Sequence, residues 1–217
     1  MEIKEQGNIH LKILPYLKDI KNGFFVEAGA LDGLFMSNTK ALEDMGWNGL
    51  LIEPSAQAVE KCKQNRKCLV EECALVSKDY VGDTVTGDFF FDGRDGGLGA
   101  WSSITRRHYD VYDSNRNLVD KIVYAHTLEN IFKKHGIKKV DFLSLDVEGY
   151  ELEALKGINF DDVDITYILT EINLDEYSLR DVNALLKDYE NLGCLSGFNY
   201  KTPNWNGLHN DYLYKKK

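Results

Sequence analysis

The stretch FFVEAGALDG, residues 24–33, constrains this chain more than any other. Phe24, Phe25 and Val26 form an apolar run that ends on a carboxylate, Glu27, and then on a turn holding Gly29 and Gly33. A run this apolar, cut off by an acid and glycines, predicts a buried parallel strand opening into a tight turn and a helix. Gly29 would let the backbone approach a ligand closely, and Gly33 would let the next helix start beside the strand.

The same pattern recurs downstream. Leu50, Leu51 and Ile52 form a second apolar run, ending on Glu53 and Pro54. Residues 69–75 read as a third strand, 140–145 as a fourth ending on Asp146, and 165–170 as a fifth ending on Glu171. Helical patterns separate them: 40–46 stopped by Gly46, 55–66 with Ser55 as N-cap, LENIFKKHG capped by Thr127, YELEALKG, and 178–192. Two final strands, 194–200 and 208–214, are joined too closely for a parallel return and so pair antiparallel. The expected fold is α/β: a Rossmann-like, mostly parallel seven-stranded sheet with helices on both faces and a C-terminal antiparallel hairpin.

Length fits one domain over 1–217. Within it, 1–22 reads as a helical segment covering the sheet, with Ile13, Leu17 and Ile20 on one face despite Pro15. Residues 84–124, aromatic and then glycine-rich, read as an insertion at the sheet's carboxyl edge, where such sheets hold ligands.

Composition removes some functions. A net charge of −9 argues against a nucleic-acid substrate, since phosphate binding needs a basic face. The four cysteines make no CxxC pair and have no histidine at zinc-finger spacing, which predicts reduced thiols. No basic-then-apolar leader and no long uncharged apolar run is present, so the expectation is a cytoplasmic protein without a membrane span. The sequence also fits one domain cut from a longer protein.

Acids end four core strands: Glu27, Glu53, Asp146 and Glu171. Carboxylates at the carboxyl ends of parallel strands converge on one crevice. Glu53 follows the glycine turn by about the twenty residues expected of an acid that binds ribose hydroxyls. A nicotinamide dinucleotide would need G-x-G-x-x-G to cradle its pyrophosphate. Here Glu27 and Asp32 flank the glycines, and they would repel a pyrophosphate but suit a cationic ligand. S-adenosylmethionine, with a sulfonium and no phosphate, fits that electrostatics. A nucleotide-dependent oxidoreductase and a non-catalytic interaction domain on the same fold remain the alternatives, although a retired site has no need of Glu27, Glu53 and Asp146.

These motifs also resemble a family, the FkbM-type methyltransferases of the class I S-adenosylmethionine-dependent fold. The matching residues are VEAGALDG from Val26, SNT from Ser37, Leu42 and Glu43, Gly46 and Trp47, and GLLIEP from Gly49. Asn65, Arg66, Ala74, Leu75, Ser102, Ser103, Thr127, Leu128 and LDVEGYELEALKG from Leu145 match as well. The resemblance runs from about Gly23 to Gly157. It implies that Glu27, Gly29 and Asp32 line the methionine half of the cofactor, with Ala28, Gly33 and Ser37 also among the cofactor-binding residues. By the same resemblance Glu53 holds the ribose hydroxyls, Pro54 is cofactor-binding, Cys73 and Ala74 flank adenine, Ser103 lies near the cofactor, and Asp146 sits beside the transferred methyl. Glu27 replaces the commoner aspartate, and Ser144 stands where many members carry a lysine.

The implied activity is O-methylation of a sugar or glycan hydroxyl. Asp146 is then the candidate base, with Glu148 beside it and His126 as the alternative. Asp146, Glu171 and Asn173 are oxygen ligands from neighbouring strand ends and would suit a divalent cation, magnesium or manganese. Trp101 could stack on a sugar ring, with Arg106 and Arg107 orienting its polar groups. Glu151, at a helix start, reads as a dipole-stabilising acid.

Overall fold

The computed structural model describes residues 9–88, 120–173, 177–198, 201 and 209–217. Five strands form the parallel part of the main sheet: β1 (Phe24–Ala28), β2 (Asn48–Glu53), β3 (Leu69–Glu72), β7 (Lys139–Leu145) and β8 (Asp164–Asn173). Their spatial order is β3-β2-β1-β7-β8, after which β10 (His209–Lys216) and β9 (Tyr189–Cys194) complete seven strands, both pairings antiparallel. The strand order reverses between β1 and β7, the switch point at which open α/β sheets hold their ligands.

The apolar runs of β1 and β2 form central strands because both faces are covered, and nearly every position in them is buried. Val26, Ala28, Leu50, Ile52, Leu143 and Leu145 face one core, packed with Leu128, Ile131 and Leu155. Those three come from α4 (Leu128–His135) and α5 (Glu151–Lys156). Phe25, Leu51, Phe142 and Leu169 face the opposite core, against α1 (Ile9–Leu17), α2 (Lys40–Asp44) and α3 (Ala56–Asn65). On α1 the buried residues are Ile9, Ile13 and Leu17, one per turn, while Ile20 lies just beyond the helix and is half-buried. Pro15 sits on the exposed side of that helix. No helix among the described residues is long and apolar enough to cross a membrane.

Four expectations need correction. Residues 69–75 are not one strand: β3 pairs with β2, and after Cys73 the chain leaves the main sheet as β4 (Ala74–Leu75) to pair with β6 (Asp120–His126). The helix expected over 178–192 stops early, as α6 (Leu179–Leu185), and Tyr189 already belongs to β9. Tyr189 keeps the apolar spacing of the helix, but its backbone satisfies the open edge of β10, and that pairing overrides local periodicity. No helix follows Gly33 directly; α2 begins at Lys40. Ser55 occupies the N-cap position of α3 without capping it; its hydroxyl is buried and has no partner among the described residues.

The expected insertion is framed by β5 (Thr84–Asp88) and β6, antiparallel from Thr84↔Tyr124 to Asp88↔Asp120. Trp101, Ser103, Arg106 and Arg107 lie between them, outside the described residues.

Candidate functional site

The site begins where β1 ends. Gly29 and Ala30 both donate backbone N–H to the Ile52 carbonyl, at 3.0 and 3.3 Å, tying the turn to β2. Asp146 donates its N–H to the Ala28 carbonyl at 3.2 Å, tying the same turn to β7. Gly29 has φ +79°, and a Cβ there would stand 1.7 Å from the Asp146 carbonyl oxygen. The sequence suggested that Gly29 admits a ligand; the structure shows that it first admits the neighbouring strand end. Gly29→Ala is therefore expected to cost about 3 kcal/mol or more, the sum of left-handed strain and a backbone clash. Urea unfolding measures it, and a variant as stable as the parent would show that the turn can move aside.

The turn itself is held by acids. Leu31, at φ +49°, donates its N–H to Glu53 Oε2 at 3.0 Å, and Ser55 N–H donates to Glu53 Oε1 at 2.9 Å. Glu53 is only 3% exposed, and burial pushes its carboxyl up to about 7, against the pull of those two hydrogen bonds. Each Glu53 oxygen receives one N–H among the described residues and keeps a lone pair for a further donor. Asp32 Oδ1 accepts from Leu34 and Phe35 N–H at 2.9 and 2.7 Å, shaping the loop after Gly33.

Glu27 was expected against the ligand, yet most of its acceptor capacity is used by protein. It accepts from Ser37 Oγ at 2.7 Å, Asn38 N–H at 2.6 Å and Thr39 Oγ1 at 2.6 Å. Arg66 Nη1 stands 3.6 Å from it. Arg66 also donates to Glu43 (2.8 Å), the Gly33 carbonyl (2.9 Å), Ser37 Oγ (3.1 Å) and Thr39 Oγ1 (3.0 Å). One buried guanidinium thus closes the loop over 33–39, and Glu27 anchors it from below. Asn38 Nδ2 donates to Ser144 Oγ at 3.1 Å, filling the place next to Glu27 with a neutral pair.

Past the switch point a second group of acids gathers. Asp146 follows β7, Glu171 lies on β8, and Glu151 opens α5. One carboxylate oxygen from each lies within 4.8 Å of the others. Asp211 on β10 is directly paired with Glu171, so the two side chains leave the sheet on the same face. Withdrawal from water pushes the carboxyls of Asp146 and Glu171 well above the ordinary range; neighbouring carboxylates, Asp211 first for Asp146 and Asp146 first for Glu171, push further. Glu148 is raised in the same way, burial first and Asp146 second, and its backbone sits at φ +55°.

Glu151 is more than a helix-dipole acid. It is fully buried, accepts from Val147 and Gly149 N–H at 2.8 and 3.1 Å, and receives the Tyr177 hydroxyl at 2.6 Å. It therefore fixes the bend that carries Asp146 and Glu148. No spacing in the chain signals this, because Tyr177 comes from a loop 26 residues away.

The other sequence candidates fall as follows. Ala28 closes β1 and is buried; Pro54 follows Glu53 and is half-buried. Cys73 and Ala74 are buried at the step between the two sheets, and burial lifts the Cys73 thiol to about 12. His126 ends β6 with its ring stacked on Tyr124, centroids 6.5 Å apart, and no described hydrogen bond or ion pair joins it to the acid cluster. Asn173 is buried on the same face of β8 as Glu171, two residues on.

Comparison with known proteins agrees with this geometry. The methyltransferase FkbM domain model matches residues 27–193. No curated protein matches the chain. Among solved structures, an S-adenosylmethionine-dependent methyltransferase from Clostridium acetobutylicum is 9% identical, with a TM-score of 0.50 over 100% of this chain and 92% of that one. The plantazolicin methyltransferase BpumL, solved with S-adenosylhomocysteine, is 11% identical at a TM-score of 0.47, over 96% of this chain and 82% of that one. At these identities the likeness is one of fold. The family match spans most of the chain and includes the strand ends and turns just described, and on that ground the chain belongs to the FkbM-domain methyltransferases, which use S-adenosylmethionine.

Proposed function

We propose that the protein transfers a methyl group from S-adenosylmethionine to a hydroxyl oxygen of a sugar or glycan. The observation that carries this is the Asp146 carboxylate. It lies at the switch point, beside the Gly29 turn, and no N–H or O–H donor reaches it among the described residues. A carboxylate so placed, with its proton affinity raised, is suited to take a proton from an acceptor hydroxyl.

The residues fit the donor. Glu53 has lone pairs left for the two ribose hydroxyls, with Pro54 beside it, and Cys73 and Ala74 supply the apolar wall expected around adenine. Gly29, Asp32 and Gly33 shape the turn for the methionine half, while Ala28, Ser37 and Glu27 support that turn from the strand side. S-adenosylmethionine supplies an electrophilic methyl and departs as a neutral thioether. This chain orients the acceptor oxygen, keeps water out and receives the proton at Asp146, with Glu148 adjacent on the same bend. The substrate class is favoured by the sequence of the insert, whose Trp101, Arg106 and Arg107 are residue types that stack on sugar rings and orient polar groups. The acidic balance of the chain disfavours nucleic acid.

Calorimetric titration with S-adenosylhomocysteine, followed by mass analysis of a panel of glycosides incubated with S-adenosylmethionine, tests this reading. Binding and a one-methyl mass gain are expected, with Asp146→Asn losing about 10²–10⁴-fold in kcat while still binding the product cofactor. Binding without methyl transfer to any glycoside would overturn the acceptor class, and absence of binding would overturn the donor site.

A further inference from the structure

The end of α3 stands against the glycine turn, and three side chains there take hold of three successive carbonyls. The Cys62 thiol donates to the Leu31 carbonyl at 3.0 Å, Asn65 Nδ2 to the Asp32 carbonyl at 2.8 Å, and Arg66 Nη1 to the Gly33 carbonyl at 2.9 Å. Spacings of three and four residues put Cys62, Asn65 and Arg66 on one side of the helix end. Gly33 makes the approach possible, since a Cβ there would stand 2.8 Å from Arg66 Cγ and 3.4 Å from Cys62 Cα. Cys62 is fully buried. Withdrawal from water, and then the charges of Glu53, Glu27 and Asp32, push its thiol up, so the sulfur keeps the proton it donates.

Leu31 is the residue this clasp constrains most. Its backbone is left-handed at φ +49°, a conformation that a leucine holds only where the surroundings over-determine it. Both sides of the residue are bound: its N–H to Glu53 Oε2 at 3.0 Å, and its carbonyl to Cys62. Asp32 is bound in the same way, its carbonyl to Asn65 and its Oδ1 to the Leu34 and Phe35 N–H groups. We propose that Cys62 and Asn65 are positioning residues for the methyl donor, holding the 31–33 turn so that the Leu31 N–H keeps the Glu53 carboxylate set for the ribose. Cys62 acts from beneath the turn, through the backbone it grips. This role rests on the reading that the donor lies along the Gly29 turn with its ribose on Glu53.

Calorimetry with S-adenosylhomocysteine on the full chain provides the test, with Cys62→Ala, Cys62→Ser and Asn65→Ala. Each alanine variant should weaken binding about five- to tenfold, the scale of one lost hydrogen bond, and Cys62→Ser, which retains a donor, should recover most of that loss. A looser Leu31 N–H also gives up a hydrogen bond to the ionised Glu53, so the pH at which binding falls off should move upward in Cys62→Ala. Cys68→Ala removes a sulfur from the same core, beyond α3, and should keep the parent's affinity and pH profile. In the ligand-free protein, NMR should show the Leu31 amide exchanging about tenfold faster in Cys62→Ala than in Cys68→Ala. Parent-like affinity in both alanine variants, or equal weakening by Cys68→Ala, would overturn the positioning role. Equal Leu31 exchange in Cys62→Ala and Cys68→Ala would overturn the clasp itself. A parent that binds no S-adenosylhomocysteine would instead sink the donor reading, and the positioning role with it, whatever Leu31 does.

Discussion

Arg66→Met is expected to destabilise the protein by about 3–5 kcal/mol, enough to unfold a domain of ordinary stability at moderate urea. The Arg66 side chain is 0% exposed and bonded to Glu43 Oε2 at 2.8 Å, with Glu27 Oε2 at 3.6 Å. Methionine would fill much of the volume but leave two buried carboxylates facing each other's former cation. It would also release the Gly33 carbonyl and the hydroxyls of Ser37 and Thr39. Chemical denaturation by circular dichroism measures the loss. The matched control is Lys63→Met, which removes an exposed ion pair to Glu60 within α3 and should change nothing measurable. Because the guanidinium closes the loop carrying Ser37, any folded fraction of Arg66→Met should also bind S-adenosylhomocysteine more weakly. Stability equal to that of Lys63→Met would mean that the loop is held by its own turns.

The second large effect concerns pH. Burial pushes the Glu53 carboxyl from an ordinary 4.5 to about 7. Between those values the folded chain holds a proton at Glu53 that the unfolded chain has released. Stability from this group is therefore present in full at low pH and is lost as pH rises through the folded value, a change of about 3 kcal/mol. The difference in unfolding free energy between parent and Glu53→Gln, measured from pH 5 to 8, isolates that contribution. It should favour the parent progressively less as pH rises. On the proposed cofactor reading, binding has the opposite sign, since ribose hydroxyls would donate to the ionised carboxylate. S-adenosylhomocysteine is expected to bind about tenfold more weakly at pH 6 than at pH 8, following the ionised fraction of a group near 7. Glu53→Gln should bind weakly at both. A parent whose affinity is flat across that range would place the ribose elsewhere.

The two halves of the crevice hold their acids by opposite means. On the β1–β2 side, Glu27, Asp32 and Glu53 are built into the turn by backbone N–H groups and hydroxyls, so they are rigid before any ligand arrives. Past β7, no donor among the described residues reaches the carboxylates of Asp146 and Glu171, while Glu151 fixes the bend beneath them. The first arrangement suits recognition, the second suits taking up a proton or a cation.

Sequence alone determined the sheet and most of its order of elements. Apolar runs too continuous for a half-exposed strand can only be buried on both faces, and each was closed by an acid or a glycine that marks the strand end. Glu53 and Asp146 were legible for that reason: chain position and strand position coincide at the end of a parallel strand. The loop strands were harder. Cys73 lets the chain change sheets, and Tyr189 trades a helical slot for an edge pairing, because long-range backbone hydrogen bonds outweigh local periodicity there. Only the tertiary structure decided which charges meet. Arg66 reaches back to Glu27 and Gly33 across a helix, and Tyr177 crosses to Glu151. Asp211 comes to lie opposite Glu171 through the antiparallel register of β10, which no spacing in the chain encodes.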